Sequence, residues 1–190
     1  MALTPSTMRL ALGSQAPAFT LPDPSEKKHS LADFRSSKAT VVLFTCNHCP
    51  YVVHLAEAIG KIADTYAAKG VSFVAINSNN IQTHPADAPA LMPAFAEKYG
   101  WHFPYLFDES QDVAKAYHAA CTPDFFVLDG QHKLFYRGQF DDSRPGNSAT
   151  ITGQDLKVVL DAVLSGAPAP ANPKPSMGCN IKWKPGNEPA

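Results

Sequence analysis

Short apolar runs alternate with amphipathic stretches along the middle of the chain. The runs VVLFT (41–45) and VSFVAI (71–76) are rich in β-branched and aromatic residues, which favours buried strands. The stretch between them closes at Gly70 and carries apolar residues at steps of three and four, which predicts a helix with one buried face. These residues are Val52, Leu55, Ile59, Ile62 and Tyr66.

The segment after the second run is less regular. Residues 77–93 are rich in Asn and Pro and predict a loop, and a helical stretch follows that ends near Gly100. FPYLF (103–107) indicates another strand or an extended approach to one. Ser110 is typical of an N-cap, which predicts a short helix directly after it.

The last part of the core combines a hairpin with a helix. DFFVL (124–128) and KLFY (133–136) flank an Asp-Gly pair at 129–130, which is a strong hairpin signal. Thr152 then opens a stretch with apolar residues on one face, and Gly166 follows its end. In chain order, these elements predict an α/β domain with a mixed sheet.

Prolines are concentrated at the two ends of the chain. The last 24 residues hold six of the 17 prolines, and the first 24 hold four more. We therefore predict an N-terminal arm (1–12), one domain (13–166) and a Pro-rich C-terminal arm (167–190). Apolar residues alternate with small and polar ones around Met177 and Ile181, which predicts a short docked strand in the second arm.

Composition limits the possible functions. The chain has 190 residues, is 45% apolar and has a formal charge of -1, which argues against binding to nucleic acid or to a membrane surface through basic patches. No apolar run approaches the ~20 residues that cross a bilayer, and no secretory signal is recognisable, so we expect a cytoplasmic protein. Four cysteines are too few for a disulfide scaffold and more typical of redox chemistry or metal binding.

The strongest chemical signal is TCNHCP (45–50), a C-x-x-C pair between a predicted strand and a predicted helix. The N–H groups and the dipole at a helix N-terminus stabilise an anion, so a thiol there loses its proton more readily. We expect Cys46, nearer the open end, to be the nucleophile and Cys49, one turn in, to resolve the mixed disulfide. His48 would tune the pKa of the thiols, because its protonated form favours the thiolate.

A zinc site is the competing interpretation of this pair. Structural zinc needs four ligands, usually from two such pairs, but Cys121 and Cys179 are isolated in the sequence. His48 and His54 cannot easily complete a tetrahedron with both cysteines of the pair. The strand–helix context therefore favours redox chemistry over metal binding.

Several segments together resemble the thioredoxin-fold superfamily, in its redoxin branch of AhpC/TSA-like and TlpA-like proteins. The resemblance covers residues 13–166 and implies a central mixed sheet with helices on both faces, preceded by an N-terminal extension. The segments that carry it are GSQAPAFTLPD (13–23) as the opening strand, HSLADFR (29–35), VVLFTCNHCP (41–50), CTPDFF (121–126) and LFYRGQFDD (134–142).

The resemblance also implies a site. In that superfamily a Thr–cis-Pro turn faces the C-x-x-C pair, so Thr122 and Pro123 would bind substrate, with the backbone of Thr122 paired to an extended chain. The residues between the two cysteines differ from the Gly-Pro that is usual in thioredoxins. The peroxiredoxin motif P-x-x-x-T-x-x-C is absent, because Ala39 and Leu43 stand at its Pro and Thr positions when it is counted back from Cys46.

Two further cysteines are candidate auxiliary thiols. Cys121 directly precedes the Thr-Pro turn and is either a relay or regulatory thiol near the dithiol or a small buried hydrophobe. Cys179 could be a resolving cysteine, a partner for Cys121 or a free thiol in a docked strand. The polar residues 77–80 predict only the side-chain hydrogen bonding that is typical of loops. Four histidines without ligand spacing are assigned no role: His84, His102, His118 and His132.

These features predict a thiol–disulfide oxidoreductase. The Cys46 thiolate would attack a disulfide in a protein or a small molecule, Cys49 would release the product, and a dithiol donor would return the electrons. No tightly bound cofactor is required. Two alternatives stay open: a peroxiredoxin-like thiol peroxidase with an antioxidant role, and a metal-binding carrier that uses the cysteine pair.

Overall fold

The structure is a computed structural model that describes residues 3–35 and 37–188. None of its helices is both long enough and apolar enough to span a membrane. Short 3-10 helices lie at Leu31–Phe34, Pro85–Asp87 and Pro89–Leu91. The other elements are β1 (Leu3–Pro5), β2 (Thr20–Pro22), β3 (Lys28–Ser30), β4 (Ala39–Thr45), α1 (Pro50–Ala67), β5 (Val71–Asn77), α2 (Met92–Tyr99), β6 (Tyr105–Phe107), α3 (Asp112–Ala116), β7 (Cys121–Thr122), β8 (Asp124–Asp129), β9 (Leu134–Gly138), α4 (Gln154–Ser165) and β10 (Met177–Asn180).

A five-stranded mixed sheet, which we call the central sheet, has the order β6-β5-β4-β8-β9. β4 runs parallel to β5, and β5 to β6, whereas β8 is antiparallel to both β4 and β9. Every residue of β4 is buried, because it is the middle strand and both of its faces are covered. The predicted α/β domain with a mixed sheet is confirmed.

Side chains of β4 alternate between two apolar cores. Val41 and Leu43 lie in the core that also takes up the buried faces of α1, α2 and α4, whereas Val42 and Phe44 lie in the core on the opposite face, with α3. The apolar stripe predicted for the first helix is the buried face of α1. Helices therefore cover both faces of the sheet, and the dithiol cysteines belong to the first core.

Two helix starts differ from the expectation by one or two residues. Gln111, rather than Ser110, is the N-cap of α3, and Gly153, rather than Thr152, is the N-cap of α4. Both N-caps adopt the left-handed conformation, so the hydroxyl that caps each helix sits one residue further out. Each hydroxyl still accepts the N–H of the first helical residue at 3.2 Å.

The opening segment 13–23 forms a shorter strand than the resemblance implied. Only β2 is extended and paired, and its partner is β3, in a two-stranded sheet apart from the central one. Prolines at 17, 22 and 24 limit its length, because proline has no N–H to donate to a strand ladder.

The two ends of the chain meet in a third sheet, which we call the terminal sheet, with the order β1-β10-β7. β10 is antiparallel to both neighbours, so that Cys179 stands opposite Leu3 on one side and Thr122 on the other. The docked strand predicted near Met177 is confirmed as β10. Residues 1–2 and 189–190 of the two arms lie outside the described residues, and the domain boundaries given above stay predictions.

Candidate active site

Cys46 and Cys49 lie in the turn that joins β4 to α1. Both side chains are fully buried and, like the other two cysteines, are thiols. Because α1 begins at Pro50, Cys49 is its N-cap. The expectation that Cys49 lies one turn inside the helix is therefore wrong: Cys49, not Cys46, occupies the helix N-terminus, since proline takes the first helical position.

The two thiols share a proton through a hydrogen bond, which sets their pKa values apart. This bond raises the pKa of Cys46 well above its usual value, and burial and the charge of Asp87 raise it further. The same bond lowers the pKa of Cys49 to about 5 against the effect of burial, with further lowering by Thr122 and Cys179. We expected the lowered pKa at Cys46, but within the pair the pKa is lowered at Cys49 and raised at Cys46.

Thr122 contacts both sulfurs from the neighbouring strand. Its carbonyl oxygen lies 3.2 Å from Sγ of Cys49 and accepts the S–H bond when that sulfur is protonated, and its hydroxyl lies 3.7 Å from Sγ of Cys46. The antiparallel pairing of β8 with β4 brings the turn before β8 to the end of β4. The peptide bond between Thr122 and Pro123 is cis. The structure therefore brings both predicted substrate-binding residues to the dithiol.

The backbone edge of Thr122, which was expected to be open to a substrate, is occupied by the chain itself. β10 pairs with it, so that Cys179 stands opposite Thr122 and Asn180 opposite Cys121. Gly178 approaches so closely that an added Cβ would overlap the carbonyl group of Thr122, which only glycine avoids. The C-terminal arm thus provides internally the strand pairing that the resemblance assigned to an extended substrate.

Of the two auxiliary cysteines, Cys179 joins the dithiol and Cys121 faces away from it. Burial and a hydrogen bond to the Cys49 sulfur raise the pKa of Cys179 to about 12. Neighbouring residues on a strand point to opposite faces, so Cys121 points away from the side on which Thr122 meets the sulfurs. Its Sγ lies 3.8 Å from the carbonyl oxygen of Pro123, and burial raises its pKa well above the usual value. This placement favours the interpretation of Cys121 as a small buried hydrophobe.

His48 and Asp87 form a hydrogen-bonded pair beside Cys46. Nδ1 of His48 lies 2.6 Å from Oδ2 of Asp87 and 3.9 Å from Sγ of Cys46. The completely buried Asp87 also accepts the backbone N–H groups of Asn47 and His48, at 2.8 and 3.2 Å, and so anchors the turn that carries the dithiol. Its negative charge opposes the effect expected from His48, because a carboxylate disfavours a thiolate on Cys46.

Sequence reasoning missed Asp87 and the asparagines that hold it. Nδ2 of Asn79 donates to Oδ2 of Asp87 at 2.8 Å, and Nδ2 of Asn77 donates to the Asp87 carbonyl at 2.7 Å. The signal in the sequence was a polar cluster at 77–80 directly after a buried strand. Because parallel strands end at the same edge of a sheet, this cluster falls beside the end of β4, with Asn77 opposite Thr45.

Two rings flank the turn that carries the dithiol, and neither was singled out from the sequence. His84 stacks on His48 with ring centroids 5.2 Å apart, and burial and then the charge of His48 lower the pKa of His84. Tyr105 donates its hydroxyl to Oδ1 of Asn47 at 2.9 Å, and burial raises the pKa of Tyr105. His84 escaped notice because it lies 36 positions from His48, far outside any short ligand motif.

The same cluster has donor atoms of the kind that bind metal. Single ligand atoms of Cys46, His48 and Asp87 all lie within 4.8 Å of one another, and sulfur, imidazole nitrogen and carboxylate oxygen are ligands of Zn²⁺. However, Nδ1 of His48 is already bonded to Asp87, whose oxygens also accept N–H groups from Asn47 and Asn79. A metal ion would have to displace these hydrogen bonds. The metal-binding alternative therefore has three ligand atoms close together, but these atoms are already engaged by other groups.

The chain matches the redoxin family model over residues 11–154. Thiol-disulfide oxidoreductase ResA from Geobacillus thermodenitrificans (strain NG80-2) is 25% identical to it over 154 residues, which are 81% of this chain and 79% of that protein. Peroxiredoxin Q, chloroplastic, from Sedum lineare is 26% identical over 158 residues, which are 78% of this chain and 81% of that protein.

Solved structures show the fold of the chain. Hypothetical protein SMc02350 from Sinorhizobium meliloti 1021 superposes with a TM-score of 0.94 at 49% identity, over 96% of this chain and 100% of that chain. Thioredoxin-family and disulfide oxidoreductase structures superpose with TM-scores of 0.58 to 0.64 at 18 to 22% identity, which shows a thioredoxin-like fold. Since the family model covers most of the chain, the protein belongs to the redoxin family of oxidoreductases.

Proposed function

We propose that the protein is a thiol–disulfide oxidoreductase whose redox centre is the Cys46–Cys49 pair. The observation that carries the proposal is the placement of the two thiols at the start of α1, where Thr122 contacts both sulfurs and the helix N-terminus stabilises a thiolate. A dithiol in this state is prepared for disulfide exchange. The thioredoxin-like fold and the similarity to ResA support the same function.

Cys46 is the sulfur that we assign as the attacking group. It lies beside the half-buried Asn47 and His48, whereas the sulfur of Cys49 is enclosed by Thr122 and the terminal sheet. Because the Cys49 thiolate accepts the hydrogen bond of the Cys46 thiol, it takes up the Cys46 proton as that sulfur attacks. Both sulfurs are buried, so the attack requires a local opening of this turn.

Reduction of a substrate disulfide then proceeds in two exchange steps. The sulfur of Cys46 bonds to one substrate sulfur, and the other substrate sulfur leaves and takes a proton. Cys49 then loses its proton and attacks Sγ of Cys46, which releases the second substrate sulfur and leaves a Cys46–Cys49 disulfide. The substrate gains two electrons from the dithiol, together with the one proton that the pair shares and a second proton from water. A dithiol donor restores the pair by the same exchange in reverse.

The occupied edge of Thr122 bears on the choice of substrate. Because β10 already pairs with this edge, an extended protein chain cannot add there unless the arm leaves. We therefore place small disulfides, and disulfides on exposed protein loops, ahead of substrates that need strand pairing. We also propose that the reaction takes place in the cytoplasm.

The test is reduction of glutathione disulfide and of insulin, with dithiothreitol as donor. We expect the glutathione disulfide to react faster than insulin, and we expect Cys46→Ser and Cys49→Ser to abolish both activities. Cys121→Ser is the matched control, because its sulfur faces away from the dithiol, and it should keep the wild-type rates. Wild-type rates in Cys46→Ser would contradict the proposal.

The similarity to peroxiredoxin Q favours a second candidate, a thiol peroxidase. Peroxide would oxidise Cys46 to a sulfenic acid, and Cys49 would displace water from it to form the disulfide. The charge of Asp87 counts against this reaction, because peroxide is attacked by the thiolate form and the carboxylate disfavours that form on Cys46. Oxidation of the reduced protein by hydrogen peroxide no faster than that of an ordinary thiol would remove this candidate.

The cluster of Cys46, His48 and Asp87 gives the carrier alternative its own test. Elemental analysis of protein purified under reducing conditions should find zinc and copper well below one ion per chain, since the ligand atoms are engaged in hydrogen bonds. One ion per chain, lost in Cys46→Ser, would replace the redox proposal with a metal-binding function.

A further inference from the structure

Strand register brings a third thiol to the dithiol. Cys179 stands directly opposite Thr122 in the antiparallel pair of β10 with β7, and opposite residues place their side chains on the same face. On that face the hydroxyl of Thr122 lies 3.7 Å from Sγ of Cys46. Cys179 lies in the same buried cluster as Cys46 and Cys49. Of the pair, it is Cys49 that raises the pKa of Cys179 and whose own pKa Cys179 lowers. Cys49 is therefore the middle one of three sulfurs.

The C-terminal arm is fixed on both sides of Cys179. Before it, the hydroxyl of the buried Ser176 donates to the carbonyl oxygen of Gly138 at 2.6 Å. After it, the N–H of Lys182 donates to Oδ1 of Asn79 at 2.8 Å. Cys179 is buried, with only 2% of the residue exposed. The native fold thus holds this thiol next to Cys49.

Building on the dithiol function proposed above, we infer that Cys179 is a third redox-active thiol, which exchanges with the Cys46–Cys49 disulfide at the sulfur of Cys49. The Cys179 thiolate attacks Sγ of Cys49, the bond between Cys46 and Cys49 breaks, and its electron pair leaves on Cys46. The proton that Cys179 loses is taken up by Cys46. The products are a Cys49–Cys179 disulfide and a Cys46 thiol, with no net oxidation.

The exchange separates two tasks within one site. After the exchange the disulfide joins Cys49 to Cys179 beneath the C-terminal arm. Cys46 is again a thiol, beside the half-buried residues of the turn. Burial raises the pKa of Cys179 to about 12, so its thiolate is scarce at neutral pH. The rate of exchange should therefore rise about tenfold per pH unit between pH 7 and 9.

The test uses Cys46→Ser, in which the first disulfide cannot form. Diamide accepts two electrons and two protons from a pair of thiols, and proteolytic mapping by mass spectrometry then identifies the linked cysteines. We expect a Cys49–Cys179 disulfide in this variant and the same disulfide when Cys121→Ser is added as a matched control. If Cys49 and Cys179 both stay alkylatable at a diamide concentration that closes the wild-type pair, the inference is overturned.

The oxidised wild-type protein separates this inference from the proposed function. A wild-type protein in which Cys49 forms a disulfide with neither Cys46 nor Cys179 contradicts the dithiol function itself, whatever the variants do. A wild-type Cys46–Cys49 disulfide without Cys49–Cys179 in Cys46→Ser contradicts only the third thiol. Alkylation of Cys46 after oxidation gives a second measurement, which does not need the Cys46 variant. Labelling of Cys46 in the wild type but not in Cys179→Ser supports the exchange. Equal labelling of Cys46 in both proteins overturns it.

Discussion

The central sheet and the terminal sheet meet at the dithiol and contribute different things to it. The central sheet is built from continuous apolar strands, and the end of β4 together with the start of α1 places Cys46 and Cys49 side by side. The terminal sheet joins strands from the two ends of the chain to β7, in strands of two to four residues, and supplies Thr122 and Cys179. The first sheet thus positions the cysteine pair, and the second packs Thr122 and Cys179 against it.

The largest expected effect is the difference in activity between a variant that lacks Cys46, beside the central sheet, and a variant that lacks Cys179, in the terminal sheet. Cys46→Ser should lower disulfide reduction by several orders of magnitude, because the attacking sulfur is lost. Cys179→Ser should lower it by a much smaller factor, since the dithiol remains intact. Steady-state rates with glutathione disulfide measure both variants, and equal losses would mean that the division between the two sheets is wrong.

The next effect concerns Asp124, which starts β8 where the two sheets join. Burial raises the pKa of Asp124 to about 7, whereas the unfolded chain ionises this carboxyl near its ordinary value. Between about pH 4 and pH 7 the native state therefore keeps a proton that the unfolded state has lost. The free energy of unfolding should fall as pH rises through this window, by up to about 4 kcal/mol, and stay level above it.

Asp124→Asn should remove this part of the pH dependence while keeping the size of the side chain. Urea unfolding of the wild type and the variant at several values of pH between 4 and 8 measures the difference in slope. Parallel curves for the two proteins would show that Asp124 is ionised in the native state throughout.

A smaller effect tests how closely the terminal sheet packs on the site. Gly178→Ala places a Cβ against the carbonyl group of Thr122, and overpacking of this kind costs about 1–3 kcal/mol. Gly130→Ala is the matched control in the β8–β9 hairpin, because its nearest neighbour would lie 3.4 Å away, an ordinary contact. Equilibrium unfolding compares the two, and equal stabilities would contradict the close approach of β10.

The smallest effect is expected at the exposed start of the C-terminal arm. Nζ of Lys174 lies 2.7 Å from Oδ1 of Asp142, and both side chains are exposed, so water and salt screen the pair. Lys174→Ala should change the free energy of unfolding less than Gly178→Ala does, and the change should shrink as salt is added. A loss as large as that of Gly178→Ala would mean that this pair, rather than the strand contacts, holds the arm.

The central sheet was largely predictable from the sequence, and the terminal sheet was not. The strands β4 and β5 follow from continuous apolar runs, and α1 follows from apolar residues at helical spacing, because these signals are local. The strand β10 was recognisable from its alternating residues, but its partners are more than 50 positions away. A shift of one residue in its register would turn Cys179 to the other face, and nothing in the local pattern fixes that register.

The site shows the same limit in its polar residues. Cys46, Cys49 and the Thr-Pro turn were named from motifs that are compact in sequence. Asp87 is a single acidic residue in a Pro-rich stretch, and it acquires its place because buried asparagines at the end of β5 bind it. The rise that Asp87 causes in the pKa of Cys46 depends on the distance between two separate parts of the chain. The pattern of residues along the sequence does not contain that distance.

The central claim, that Cys46 and Cys49 form a reversible redox pair, is tested most directly by redox titration of the wild-type protein. The protein is equilibrated in buffers of reduced and oxidised dithiothreitol, its thiols are trapped with acid and an alkylating agent, and the linked cysteines are mapped by mass spectrometry. We predict a single two-electron transition in which Cys49 loses its label and is recovered in a disulfide with Cys46 and, after the exchange inferred above, in part with Cys179. Both cysteines remaining alkylated across the whole range of potentials would contradict the account.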